Sequence, residues 1–222
     1  MRGGTSEGAK MKITCLHTAQ VHVDRFAGLF AAQGWDGALD HIVRPDLLAR
    51  AQADGLDAVT GDLTAELTGA VDADVVLCTC STLGPLIDRF DRADVLRIDR
   101  PAMSAAAAYP NVLIALCLES TRSPSLALFE ACAKDTGAQA RVVICSDAWP
   151  HFEAGDMNAF YRSIAQSVGT VVLAAPQTGC IVLAQASMQG AAMLLSDMGV
   201  PVLTTPVLAV QHAIKTARQA NR

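Results

Sequence analysis

Short apolar runs alternate with amphipathic stretches along this chain, the pattern of repeated βα units. Ile13–Leu16 predicts a first strand and Val23–Gln33 a helix. His41–Val43 predicts a short strand, followed by a helix from Pro45 to about Ala53, where proline suits the first turn. Asp72–Cys78 predicts a buried strand that runs out at Cys80, with a helix over Leu83–Arg92 and a fourth strand at Val95–Ile98. A second series follows: strands at Asn111–Leu116, Arg141–Cys145, Cys180–Ala184 and Val202–Thr204, with helices at Pro124–Thr136, Asp156–Ala174, Gln189–Met198 and Pro206–Ala220.

The two series run in parallel. Each opens with a strand leading into a hydroxyl-bearing loop, His17-Thr18 and then Ser120-Thr121, and each contains a strand entering a Ser/Thr-bearing turn, Val75–Thr82 and Ile181–Ser187. This predicts an internally duplicated α/β protein. Two parallel sheets would face each other across a cleft with their carboxyl-end loops, the place where open α/β sheets bind ligands.

Composition narrows this reading. Hydrophobic residues make up 51% of the 222 and aromatics only 5%, so aliphatic residues and alanine must fill a large core. A net charge of −5 without a basic stripe argues against nucleic acid, and the aliphatic runs are too interrupted to span a membrane. Seven scattered cysteines read as reduced thiols of a cytoplasmic protein, and Cys78-x-Cys80 lacks the second pair that a zinc site requires. The polar residues 1–10 are expected to be a tail. Phosphate-loop, dinucleotide, zinc-protease and serine-hydrolase motifs are absent, so no cofactor is expected and side chains must supply any chemistry.

Cys80 is the leading candidate, because it sits where a strand passes into a helix. The unpaired N–H groups there are expected to lower a thiol pKa, and with Ser81 and Thr82 to cradle a carboxylate. Strand alternation is expected to point Cys78 to the opposite face, which makes a Cys78–Cys80 redox pair a weaker alternative. His17 and Thr18 lie at the carboxyl end of the first strand and are candidates to complete the pocket. His41 and His151 read as surface or packing residues, and Arg97, Asp99 and Arg100 as an ion network or a solvated linker.

Thr79-Cys80-Ser81-Thr82 resembles the first catalytic cysteine segment of the aspartate/glutamate/hydantoin racemase superfamily. Arg97–Met103 resembles that family's interdomain linker, Ser120–Pro124 its second carboxylate-binding loop, and Ile181–Met188 its second catalytic segment; together the similarity spans Met11 to about Ala213. The resemblance implies two flavodoxin-like domains related by a pseudo-twofold axis, one formed by 11–98 plus 205–222 and the other by 99–204. It implies cofactor-free proton transfer beside a carboxylate, with Ser120, Thr121 and Ser187 facing Ser81 and Thr82 across the substrate. A homodimer is expected for this size and fold.

One position departs from the family pattern. The second segment of the racemases reads Leu-Gly-Cys-Thr/Ala; here it reads Leu183-Ala184-Gln185-Ala186-Ser187, which puts Gln185 at the matching place, or Ala186 if the register slips by one. Neither shuttles a proton at neutral pH, and Ser187 has no neighbouring base. The expectation is therefore a racemase-like isomerase using the Cys80 thiolate alone on a small carboxylate, by proton transfer, isomerisation or decarboxylation, with Gln185 orienting the substrate. The alternative is a carboxylate-binding protein without catalysis.

Overall fold

The computed structural model describes residues 10–90 and 92–221; residues 1–9 of the expected tail lie outside the described residues. The first half runs β1 (Lys12–His17), α1 (His22–Ala32), β2 (Ala38–Val43), α2 (Pro45–Asp54), α3 (Thr60–Gly69), β3 (Val75–Cys78), α4 (Gly84–Arg89) and β4 (Val95–Arg97). α5 (Arg100–Ala106) leads into β5 (Asn111–Leu116), α6 (Arg122–Ala133), β6 (Gln139–Ile144), α7 (Trp149–Glu153) and α8 (Met157–Ala174). β7 (Cys180–Leu183), β8 (Val202–Thr204) and α9 (Thr205–Ala220) complete the chain.

The strands form two four-stranded parallel sheets, ordered β2-β1-β3-β4 and β6-β5-β7-β8. The second repeats the first in order and in register: Ile13 pairs with Val75 as Val112 pairs with Cys180, and Cys78 pairs with Arg97 as Leu183 pairs with Thr204. Parallel neighbours need crossover connections, and the intervening helices cover both faces of each sheet.

Alternation along the strands distributes the core accordingly. Leu16, Val76 and Cys78 face one cluster of the first sheet, while Ile13, Cys15, Val75 and Leu77 face the other. In the second sheet Leu113, Ala115, Ile181 and Leu183 point one way and Val112, Ile114, Cys180 and Val182 the other. α9 returns to the first sheet, where Ala209, Val210, Ala213 and Ala217 pack on Ile13, Cys15, Val75 and Leu77. Each fully buried Leu, Ile or Phe contributes about 1.5–3 kcal/mol by leaving water.

Three expectations are corrected. The stretch between α2 and β3, to which the hydrophobic pattern assigns no element, forms a 3-10 turn (Leu56–Val59) and α3. The helix expected at Gln189–Met198 is a run of 3-10 turns over Ala186–Met198. Apolar residues spaced three and four apart suit either helix type, so the hydrogen-bond register was not legible there. Of the two readings of Arg97, Asp99 and Arg100, the solvated linker gives way to the ion network, because Arg97 and Asp99 are buried, Arg100 pairs with Asp88 and α5 begins at Arg100. Arg97 grips Asp99 through two hydrogen bonds of 2.7 and 2.8 Å and also pairs with Asp88. A Cβ on Gly84 would lie 2.5 Å from that guanidinium, so a larger residue there would push Arg97 off its carboxylate partners. Among the described residues no helix is long and apolar enough to cross a membrane.

Candidate active site

The carboxyl ends of β1, β3, β5 and β7 open onto one cavity of about 200 Å³. Thr18, Cys80, Ser81 and Thr82 line it from the first half, and Thr121, Gln185 and Ser187 from the second. The Ser81 hydroxyl donates to the Ala184 carbonyl at 3.0 Å and ties the two walls together. Arg25 on α1 adds a second tie, donating to the Ala186 carbonyl at 2.6 Å and approaching the Tyr161 hydroxyl.

Cys80 leaves the sheet in an extended conformation (φ −110°, ψ 111°) and caps the 3-10 turn Ser81–Leu83. The Thr18 and Thr82 hydroxyls and the Thr82 and Leu83 N–H groups lie beside Cys80 and favour its thiolate, and the Leu83 N–H donates to the Cys80 carbonyl at 3.2 Å. Burial nevertheless outweighs these donors and raises the thiol pKa above its ordinary value. This reverses the expected lowering: one short turn cannot offset the loss of water around a buried thiolate. The expected opposition of Cys78 and Cys80 also fails. Residues two apart on an extended chain share a face, Cys80 continues the extended backbone past Cys78, and both side chains enter the same core cluster. All seven cysteines are free.

Gln185 caps the 3-10 run after β7 in the same extended conformation (φ −123°, ψ 143°), two residues beyond the strand end, as Cys80 does after β3. Gln185, not Ala186, therefore occupies the place equivalent to Cys80. Its Oε1 accepts the backbone N–H of Cys117, which assigns the amide orientation and leaves Nε2 as a donor.

Ser120 does not join the site. It is exposed and outside the cavity, because the 3-10 turn Glu119–Thr121 turns Ser120 outward and Thr121 inward. Thr121 is buried, but its hydroxyl donates to the Leu118 carbonyl at 2.6 Å.

His17 is buried behind the wall, not in it. The Thr79 hydroxyl donates to the Leu16 carbonyl at 3.1 Å, so it must accept from His17 Nδ1 at 2.8 Å; His17 Nε2 then accepts from His41 Nδ1, also at 2.8 Å. Burial, with the neighbouring His41 and His22, pushes His17 down to about 3, so the ring is neutral. Cys15 joins this pair, with potential ligand atoms all within 4.8 Å. Sequence spacing did not reveal the group, because Cys15 and His17 share a strand face and His41 pairs across from Cys15.

Sequence reasoning missed much of the cavity wall. His22, at the start of α1, is buried in it with no partner for Nδ1, and is pushed down to about 4 by burial and by Arg25. Leu48, Leu118, Trp149 and Phe152 form an apolar side, with the Trp149 and Phe152 rings stacked 4.8 Å apart. Trp149 follows Cys145 in a stretch where only the aromatic residues themselves hinted at a site.

The chain matches no protein-family model and no curated protein by sequence. In three dimensions it superposes on aspartate racemase from Picrophilus torridus with a TM-score of 0.71 at 13% identity, covering 94% of both chains. The chain folds as the aspartate and glutamate racemases do. Glutamate racemase isoform RacE1 from Bacillus anthracis shares this racemase fold with a TM-score of 0.74 at 11% identity, covering 95% of this chain and 83% of that one. A mutant of arylmalonate decarboxylase in a sulfate-associated form shares it with a TM-score of 0.59 at 16% identity, covering 93% of both.

Proposed function

We propose that this protein is a cofactor-independent enzyme that transfers a proton on one face of the carbon beside a carboxylate, with Cys80 as the proton-carrying group. One observation carries this reading. The second-half wall opposite Cys80, made of Leu118, Thr121, Trp149, Phe152, Gln185, Ala186 and Ser187, contains no thiol, carboxyl, imidazole or amine. Inversion by two bases needs a titratable group on each side of the carbon; here only one side has one. The proteins of known structure that share the fold include two racemases and a decarboxylase, which supports chemistry at a carbon beside a carboxylate.

The raised pKa of Cys80 sets the direction of transfer. At neutral pH the group rests as a thiol, so its first act is donation: cleavage of the C–C bond to a departing carboxylate releases CO2 and leaves an enediolate, the S–H bond breaks as a C–H bond forms on its carbon, and the thiolate regains a proton from water. The hydroxyls and N–H groups beside Cys80 stabilise the transient thiolate. Gln185 Nε2 and the Ser187 hydroxyl hold the carboxylate from the other half, where neutral donors in a buried site stabilise developing negative charge.

The test is incubation of the protein with mono- and dicarboxylic acids, substituted malonates included, in deuterated water, followed by NMR and chiral separation. One deuterium on one face is expected, with activity level between neutral pH and about 6.5, where the fold keeps its full stability, and falling on the alkaline side as the thiol ionises. Deuterium on both faces at equal rates would sink the one-sided mechanism. Stabilisation by carboxylates with no exchange, isomerisation or loss of CO2 would leave a binding protein.

A further inference from the structure

We infer that the substituent on the substrate's reacting carbon is uncharged and apolar, of the size of a single aromatic ring, and that amino dicarboxylates are excluded. This rests on the reading of the cavity as the reaction site and adds the substrate class to it. Three observations converge.

The first is charge. Neither Lys, Arg, Asp nor Glu lines the cavity, and its one imidazole, His22, is held neutral by burial. Arg25, the nearest cation on α1, is turned to the Ala186 carbonyl and Tyr161. A carboxylate at the reacting centre finds neutral donors, but a second, distal carboxylate would be buried without a counter-charge.

The second is the commitment of the hydroxyls. Ser81, Thr79 and Thr121 each donate their single hydroxyl proton to a backbone carbonyl, of Ala184, Leu16 and Leu118 respectively. Among the described residues the donors left in the lining are Thr18, Thr82, Ser187, Gln185 Nε2 and the His22 ring, all neutral, which serve one carboxylate at the reacting carbon and give a second, distal one no counter-charge.

The third is the shape of the remaining wall. Leu48 lies five residues beyond the end of β2, and Trp149 five residues beyond the end of β6. These two positions are equivalent in the repeated sheets, so they flank the cavity from both halves, with Leu118 and Phe152 beside them. All four side chains are half-buried and keep apolar surface that a ligand would cover. At about 200 Å³ the space is below the ~300–1,000 Å³ typical of drug-sized pockets, which suits a carboxylate with one ring.

Titration calorimetry and thermal melting with phenylacetate, succinate, aspartate and glutamate test the inference. Phenylacetate is expected to raise the melting temperature by mass action and to bind at least tenfold more tightly than any of the three diacids. Trp149→Ala should weaken phenylacetate at least tenfold, and Phe152→Ala serves if that variant does not fold. Leu48→Arg, which adds the missing cation, should shift preference toward succinate. Equal or tighter binding of succinate or aspartate to the unaltered protein, or no phenylacetate binding, overturns the substrate class. Its failure is separable from failure of the proposed reaction. Phenylacetate binding without exchange of any carboxylate removes the reaction and keeps the class, whereas turnover confined to amino dicarboxylates does the opposite.

Discussion

Cys80 and Gln185 stand at the same place in two copies of one sheet, each extended, each capping a 3-10 turn two residues past its strand, yet one is a titratable thiol and the other a neutral amide. The surrounding pairs differ in the same sense. The end of β1 is His17 and the end of β5 is Leu116; Ala19 corresponds to Leu118, His22 to Thr121, Leu48 to Trp149 and Arg97 to Thr204. Duplication repeats the backbone, which depends on hydrophobic alternation and turn geometry, and leaves the loop side chains free to diverge. Within these pairs the first half carries the charge and the titratable groups. The second half supplies shape, an apolar wall and one oriented amide.

The largest test of this asymmetry is at Cys80. Cys80→Ala should lower turnover about 10²–10⁴-fold, the range of a lost acid or base, while circular dichroism and melting temperature stay near the original. Gln185→Cys is the converse experiment: deuterium should then enter both faces, and a product of one configuration should become a mixture on chiral separation.

A structural difference comes next. Arg97 is bound to Asp99 in the first half, where the second half has Thr204. Asp99→Ala should cost about 3 kcal/mol in denaturant unfolding, the low end for a broken buried pair because Asp88 still contacts Arg97. Thr204→Ala should cost less.

The buried histidines give the first half its own pH dependence. His17 and His22 titrate near 3 and 4 when folded and near 6.5 when unfolded, so between those values the unfolded chain binds more protons. Stability should therefore be full above about pH 6.5 and fall by a few kcal/mol as pH drops toward 4, at about 1.4 kcal/mol per unit of depressed pKa. Melting curves across that range check it, and His22→Leu should flatten the slope; an unchanged slope would show that His22 does not stay neutral.

The smallest effect belongs to the second half. Gln185→Leu strands the Cys117 N–H and should cost about 1–3 kcal/mol, read in the melting temperature of ligand-free protein.

The order of elements, the duplication and the place of Cys80 were legible in the sequence, because strand burial and βα alternation depend on residues close along the chain. Asn111–Leu116 and Val202–Thr204 needed no adjustment at all. What spacing could not show was anything set by separate segments meeting. His17 sits behind the wall because Thr79, sixty-two residues away, accepts its proton. Ser120 turns out and Thr121 in because of a single 3-10 turn, and Trp149 reaches the cavity only because β6 ends beside β5. The direction of the Cys80 shift was likewise decided by the fold. A turn's N–H groups are local and readable, whereas the desolvation that outweighs them is summed over every residue packed around the sulfur.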